Sequence, residues 1–315
     1  MSAEILSVGE AGKHAGVINA LLFVNDHVFS GGSDGVINVW GKDLQFQRDI
    51  PIHKDFAVLA FEANLQNHLY TSGRDGSLRY FRVPWRSNNN DVLVQAVAAD
   101  VTALFCVGNL LYSGDDKGII NRWYNNKVSC QLNVMREVKS IAVDGNNLYT
   151  CSEKDVVFTD LKPDIEDEDN TKATMPGRNP MILFGPKVNN HQDYLIFLTR
   201  DGKGINIVNS GFPFEVVWTE ENAHETVING ICATDDSLFT AGSDGKVKRW
   251  KNLDRKPTVV ETIDVGKRIT ALCIGPIHTV IVGDPESEEG VETFTYTTIY
   301  AGDADGVVRR LKFDA

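Results

Sequence analysis

The stretch SLFTAGSDGKVKRW, residues 237 to 250, decides the fold. An apolar pair precedes a hydroxyl residue, Thr240, then a Gly-Ser-Asp-Gly turn, then a second short run ending on Trp250. Two short runs closed on a turn of Gly, Asp and Ser read as a β-hairpin rather than a helix, because these residues tolerate the backbone that a tight turn demands. Six further stretches carry the same pattern: HVFSGGSDGVINVW (27 to 40), HLYTSGRDGSLRYF (68 to 81), LLYSGDDKGIINRW (110 to 123), NLYTCSEKDVVFTD (147 to 160), YLIFLTRDGKGINIV (194 to 208) and TIYAGDADGVVRRL (298 to 311). The hydroxyl-equivalent position falls at residues 30, 71, 113, 150, about 199, 240 and 301, so the steps are 41, 42, 37, about 49, about 41 and 61. A period of about 40 residues is that of propeller blades.

Working outward, an apolar run lies ahead of each hairpin, such as VINALLFV (17 to 24), VINGICAT (227 to 234) or ITALCIG (269 to 275). Another follows, such as VLVQAVAA (92 to 99) or PTVVETI (257 to 263). Four antiparallel strands per unit and seven units predict an all-β chain folded as one seven-bladed β-propeller over residues 1 to 315, with no domain boundary. The last repeat runs out at Lys312 and Phe313, so its fourth strand must come from elsewhere, and AEILSVG (3 to 9) is the available donor. Such a clasp removes the exposed edge that an open ring would leave.

Composition agrees with a globular chain: 42% hydrophobic, 23% charged, formal net charge −12. No apolar run reaches the roughly 18 residues of a membrane helix, and MSAEILSVGE has neither the cationic head nor the apolar stretch of a secretory signal. The expected address is therefore cytoplasmic, with the nucleus as the other. Five cysteines, Cys106, Cys130, Cys151, Cys232 and Cys273, include no C-x-x-C pair and fit reduced buried thiols. An excess of 43 acidic over 31 basic residues repels phosphate backbones at long range and makes nucleic acid a poor partner.

The chain resembles the WD-repeat family across nearly its whole length, although the dipeptide Trp-Asp never occurs; Trp40, Trp123 and Trp250 stand where that tryptophan belongs. The resemblance implies a buried network of four residue types that ties a blade's entry loop to its second and third strands. His14, Ser30, Asp34 and Trp40 fit it, as do His53, Thr71, Asp75 and Phe81, and His224, Thr240, Asp244 and Trp250. Ser, His and Asp together also suggest a hydrolytic triad, but a triad needs one copy and an exposed nucleophile, and three copies point to structure. Other repeats depart: Ala98, Ser113, Lys117 and Trp123 in the third, Met135, Thr150, Lys154 and Asp160 in the fourth, Gly266, Ala301, Asp305 and Leu311 in the seventh. The fifth aligns on either Leu198 or Thr199.

DADG (303 to 306) echoes the opening of a calcium loop but lacks its further oxygen ligands, and His27, His68, His191 and His278 have no ligand-spaced neighbour, so neither metal nor cofactor is expected. Two acidic segments, DIEDED (164 to 169) and DPESEEGVE (284 to 292), and the loop VPWRSNNND (83 to 91) with Trp85 belong by strand order to one rim, the broad face. The opposite rim, the narrow face, is made of blade-entry loops and the turns between second and third strands. There the sequence places Lys54, Arg74, Asp115, Asp116, Lys117, Arg136, Glu153, Lys154, Arg200, Asp201, Lys267 and Arg268 around the channel. The resemblance implies a non-enzymatic scaffold that docks protein partners on this face, and the expected state is a monomer or a subunit of a larger complex; the cations of the narrow face against the acidic broad face point to partners with acidic or phosphorylated segments. The alternatives are a propeller enzyme with a metal-dependent hydrolytic site in the channel and a propeller that binds specific RNA.

Overall fold

Alternation of apolar and polar residues at period two gives each short run one face to bury, and the turn residues between runs fold it back on itself. The computed structural model describes residues 4–53, 55–66, 68–82, 95–96, 99–161, 171–189, 191–282 and 292–314. Among them are seven four-stranded antiparallel sheets and no helix. Six sheets follow chain order: blade one is Ile18–Val24, His27–Gly32, Ile37–Gly41 and Phe46–Ile50. Blades two to six occupy residues 58–96, 101–133, 140–176, 178–220 and 228–264. The first strand of every blade packs on the first strands of both neighbours, blade seven on blade one included, so these strands line the centre of a closed ring.

Blade seven completes the ring by exchange. Its own strands are Ile269–Val282, Glu292–Asp303 and Val308–Asp314, and the fourth is the N-terminal Glu4–Gly9, paired from Glu4 opposite Lys312 to Gly9 opposite Val308. The clasp expected from the sequence is therefore in place. The apolar run at 269 to 275 proves to be half of a strand of 14 residues, whose pairing with the next continues to Val282 opposite Glu292.

Seven apolar clusters fill the seven interfaces between blades. The ring-closing one holds Ile18, Val28 and Trp40 of blade one against Ala271, Tyr300 and Val308 of blade seven, all at most 8% exposed. At about 25 cal/mol for each Å² of apolar surface removed from water, such interfaces are the main stabilising contribution to the ring. Side-chain hydrogen bonds also tie neighbouring first strands together. Asn19 Nδ2 donates to Val58 O at 2.9 Å, Asn229 Nδ2 to Ile269 O at 2.6 Å and Thr270 Oγ1 to Ile18 O at 2.6 Å, and Thr102 bonds Val138 O in the entry to blade four's first strand.

Strand register corrects two alignments. In blade one Ser30 pairs with Asn38 and Val28 with Trp40 across a turn of residues 32 to 36. Blade four's turn is one residue shorter, 152 to 155, which puts Thr159 opposite Leu148 in the tryptophan position, not Asp160. Blade five's turn is one longer, 199 to 204, so Phe197, paired with Asn206, occupies the hydroxyl position, and neither Leu198 nor Thr199 does. A change of turn length is invisible to an alignment that assumes constant spacing.

Candidate functional site

The four-residue constellations assemble in space. In blade one Trp40 Nε1 donates to Ser30 Oγ at 3.0 Å, and the same hydroxyl bonds His14 Nε2 at 2.8 Å. The Asp34 carboxylate can only accept, so His14 Nδ1 donates to it at 3.1 Å. The Asp34 carboxylate also accepts the amides of Ala15 and Val36. Blade six repeats the chain through Trp250, Thr240, His224 and Asp244 at 2.8, 2.8 and 2.9 Å. In blade two Phe81 has no N–H to give, so Thr71 bonds His53 at 3.1 Å, while Asp75 gathers His53, Ser77 and Arg79 at 2.9, 2.7 and 2.8 Å. The hydroxyls of Ser30, Thr71 and Thr240 are 0% exposed, beyond the reach of a substrate. Burial pushes the His53 and His224 imidazoles below their ordinary pKa despite the neighbouring carboxylates. It also works against the Asp75 and Asp244 carboxylates, yet hydrogen bonds, from Ser77 and from the Lys246 amide, and the histidines hold both below the usual value.

Blades without the histidine hold the same turn by a different residue. Asp115 Oδ1 accepts the amides of Lys117 and Ile119 at 2.9 and 2.8 Å, and Asp303 Oδ1 those of Asp305 and Val307, both at 2.9 Å. Ser152 Oγ takes the amides of Lys154 and Asp155, and Thr199 Oγ1 that of Gly204. In register all four stand where blades one, two and six have Gly32, Gly73 and Gly242. Asp115 and Asp303 are thus turn anchors, 5% and 0% exposed, and Asp115 leaves the set expected to meet a partner.

The narrow-face cations are partly neutralised by their own chain. Arg136 and Arg200 both bind Asp155, Arg200 at 3.2 Å; Lys267 binds Asp305 at 2.8 Å, and Asp116 binds Lys117 at 3.0 Å. Arg74, Lys154 and Arg268 are exposed, and their side chains have no hydrogen-bond or ion-pair partner among the described residues. Lys54 lies outside the described residues, as do Ala98, the segments 164 to 169 and 284 to 291, and the loop 83 to 91 with Trp85.

A cavity of about 320 Å³ opens at the narrow-face end of the channel, where the first strands of blades five, six, seven and one begin. Of the expected set, Arg268 lines it. The sequence reading missed its second cation, Arg178, the first residue of the strand Arg178–Phe184. The signal was position: a charged residue immediately ahead of the apolar run of an innermost strand. A second cleft, about 490 Å³, lies towards the broad rim between blades five and six and is lined by Asp193, Asp235, Asp236, Asp254 and Lys251. Among the described residues no three His, Cys, Asp or Glu side chains converge as a metal-ligand group. Cys151, Cys232 and Cys273 are buried, which pushes their thiols well up and leaves them unreactive.

The ring of seven four-stranded blades with its exchanged outer strand is the architecture of a WD-repeat β-propeller. Among solved structures, the WD40 beta propeller domain of Doa1 is similar over 98% of this chain and 96% of that one, with a TM-score of 0.74 and 16% sequence identity. At that identity the likeness concerns the fold. No family model matches the chain, and neither does any curated protein.

Proposed function

We infer that the chain is a non-enzymatic scaffold that docks polypeptide partners on its narrow face. The observation that carries this reading is that Arg178 and Arg268 line one cavity at the channel mouth and, like Arg74 and Lys154 on the same rim, have no partner side chain among the described residues, in a chain of formal net charge −12. A closed ring holds the supporting turns rigid before binding, so docking costs little ordering entropy. Guanidinium groups give charge-assisted hydrogen bonds to acidic segments, and arginine is enriched at interface hot spots. The cytoplasm or the nucleus is the compartment that fits such partners and the free cysteines.

The test is affinity capture followed by cross-linking and mass spectrometry, comparing wild type with the double reversal Arg74→Glu and Arg268→Glu. Capture should fall at least tenfold, about 1.4 kcal/mol, with an unchanged melting temperature, because both side chains are exposed at turns. Full capture by the double variant, with cross-links confined to the broad rim, would move the working surface there.

A further inference from the structure

We propose that the cavity at the narrow-face mouth of the channel is a receptor for a phosphorylated side chain of a partner peptide, held between Arg178 and Arg268. The proposal rests on the narrow-face reading above and names the chemistry at its centre. Five other blades start their innermost strand on a buried aliphatic residue, Ile18, Val58, Val101, Ile228 and Ile269. Blade five starts on an arginine instead, ahead of a bulge in which Arg178 pairs with Leu198 and the next partnered residue is Met181. Bulges of this kind re-aim side chains. Arg178 Nε is shut off from solvent and has no hydrogen-bond partner among the described residues, a buried donor whose desolvation no hydrogen bond there offsets.

Apart from Asn179, the other polar side chains of the wall already hold hydrogen bonds. Asn229 Nδ2 is held by Ser243 and Ile269 O, Asn19 Nδ2 by Val58 O, and Thr270 Oγ1 by Ile18 O and Gly302 O. Among the described residues no carboxylate lines the cavity, while two arginines, Arg178 and Arg268, do. A phosphorylated serine or threonine carries a charge of about −1.5 to −2 and three acceptor oxygens, enough to answer both forks, where a carboxylate answers one. The cavity, about 320 Å³, admits one such side chain rather than an extended ligand, so the flanking peptide must lie on the rim, the face whose turns carry Arg74 and Lys154.

The probe is a pair of immobilised peptide libraries with degenerate flanks, one fixed on phosphothreonine and one on threonine, with a third fixed on glutamate. Wild type should be retained at least tenfold more strongly by the phosphothreonine library than by either other. Arg178→Gln and Arg268→Gln should each abolish that preference, while Arg255→Gln, at an exposed residue away from the cavity, should keep it. Should Arg178→Gln melt early, Arg178→Lys keeps the charge and loses the fork, and should retain part of the preference. Inorganic phosphate should compete in solution, but more weakly than a library peptide. Equal retention by the glutamate library, or inorganic phosphate binding as tightly as the peptides, overturns the proposal in favour of a carboxylate or a free anion. Absence of any preference overturns it as well. Capture from a phosphatase-treated lysate that persists in wild type and is lost in the Arg74→Glu, Arg268→Glu double variant would leave narrow-face docking standing and remove the phosphate.

Discussion

Blades one, two and six solve the problem of the turn between second and third strands differently from blades three, four, five and seven. The first group leaves a glycine two residues after the hydroxyl position and fills the space from outside, with a histidine brought in by the entry loop. The second group puts an oxygen-bearing side chain at that position and caps the turn from within. The two solutions exclude one another: a Cβ on Gly73 would stand 2.3 Å from His53 Nδ1, and one on Gly32 2.5 Å from both His14 Nδ1 and Asp34 Oδ1. The difference teaches that the network is a long-range tie between entry loop and turn, and that the ring needs it in some blades only. The other four keep the turn local and leave their entry loops fastened by backbone bonds such as Val138 N to Asp115 O.

Substitutions separate the two kinds of turn. The largest effect is expected at Asp303→Ala, which strips Arg309 of its buried partner and two amides of their acceptor. Urea denaturation should show a loss of about 3 kcal/mol or more, and a neutral result would mean that blade seven does not use the internal cap. Next comes Gly73→Ala, whose methyl must displace the buried imidazole. A loss of about 2–3 kcal/mol is expected, while Ser152→Gly in blade four should cost less because no imidazole waits to be displaced.

His224→Ala should cost about 1–3 kcal/mol by leaving Asp244 and Thr240 short of a partner. It should also flatten the pH dependence. The folded imidazoles of His53 and His224 sit below 6.5, so the stability they contribute is complete above that value and is lost as pH falls through it towards the lower folded value. Thermal melts between pH 7.5 and 5.0 should therefore drop less steeply in the variant. An identical slope would show that His224 titrates alike in both states. The smallest effect belongs to Ser152→Ala, which removes one hydroxyl cap; about 1 kcal/mol is expected by analogy with helix caps, measured in the same urea series.

Much of this was legible in the residues. The seven hairpins, the clasp and the three histidine constellations follow from repetition, because a blade cannot bury its faces alone and must recur at a fixed interval. In blades four and five the motif spacing points one or two positions away from the residue that pairs, because the turn has lost or gained a residue and pairing across a hairpin counts from the turn. Arg178 escaped notice because a lone arginine before an apolar run has no pattern of its own, and its meaning depends on three other blades meeting it at the channel mouth.

By itself, then, the sequence determined the number of blades, the antiparallel order within them and the residues of the three histidine networks, all of which rest on contacts within about 40 residues of chain. Tertiary structure alone decided which cations remain unpaired: Asp155 takes Arg136 and Arg200, Asp305 takes Lys267, and Arg178 and Arg268 come to share one wall from blades five and seven. Charge pairing acts through space over a few ångströms, and only closing the ring brings turns from different repeats that near.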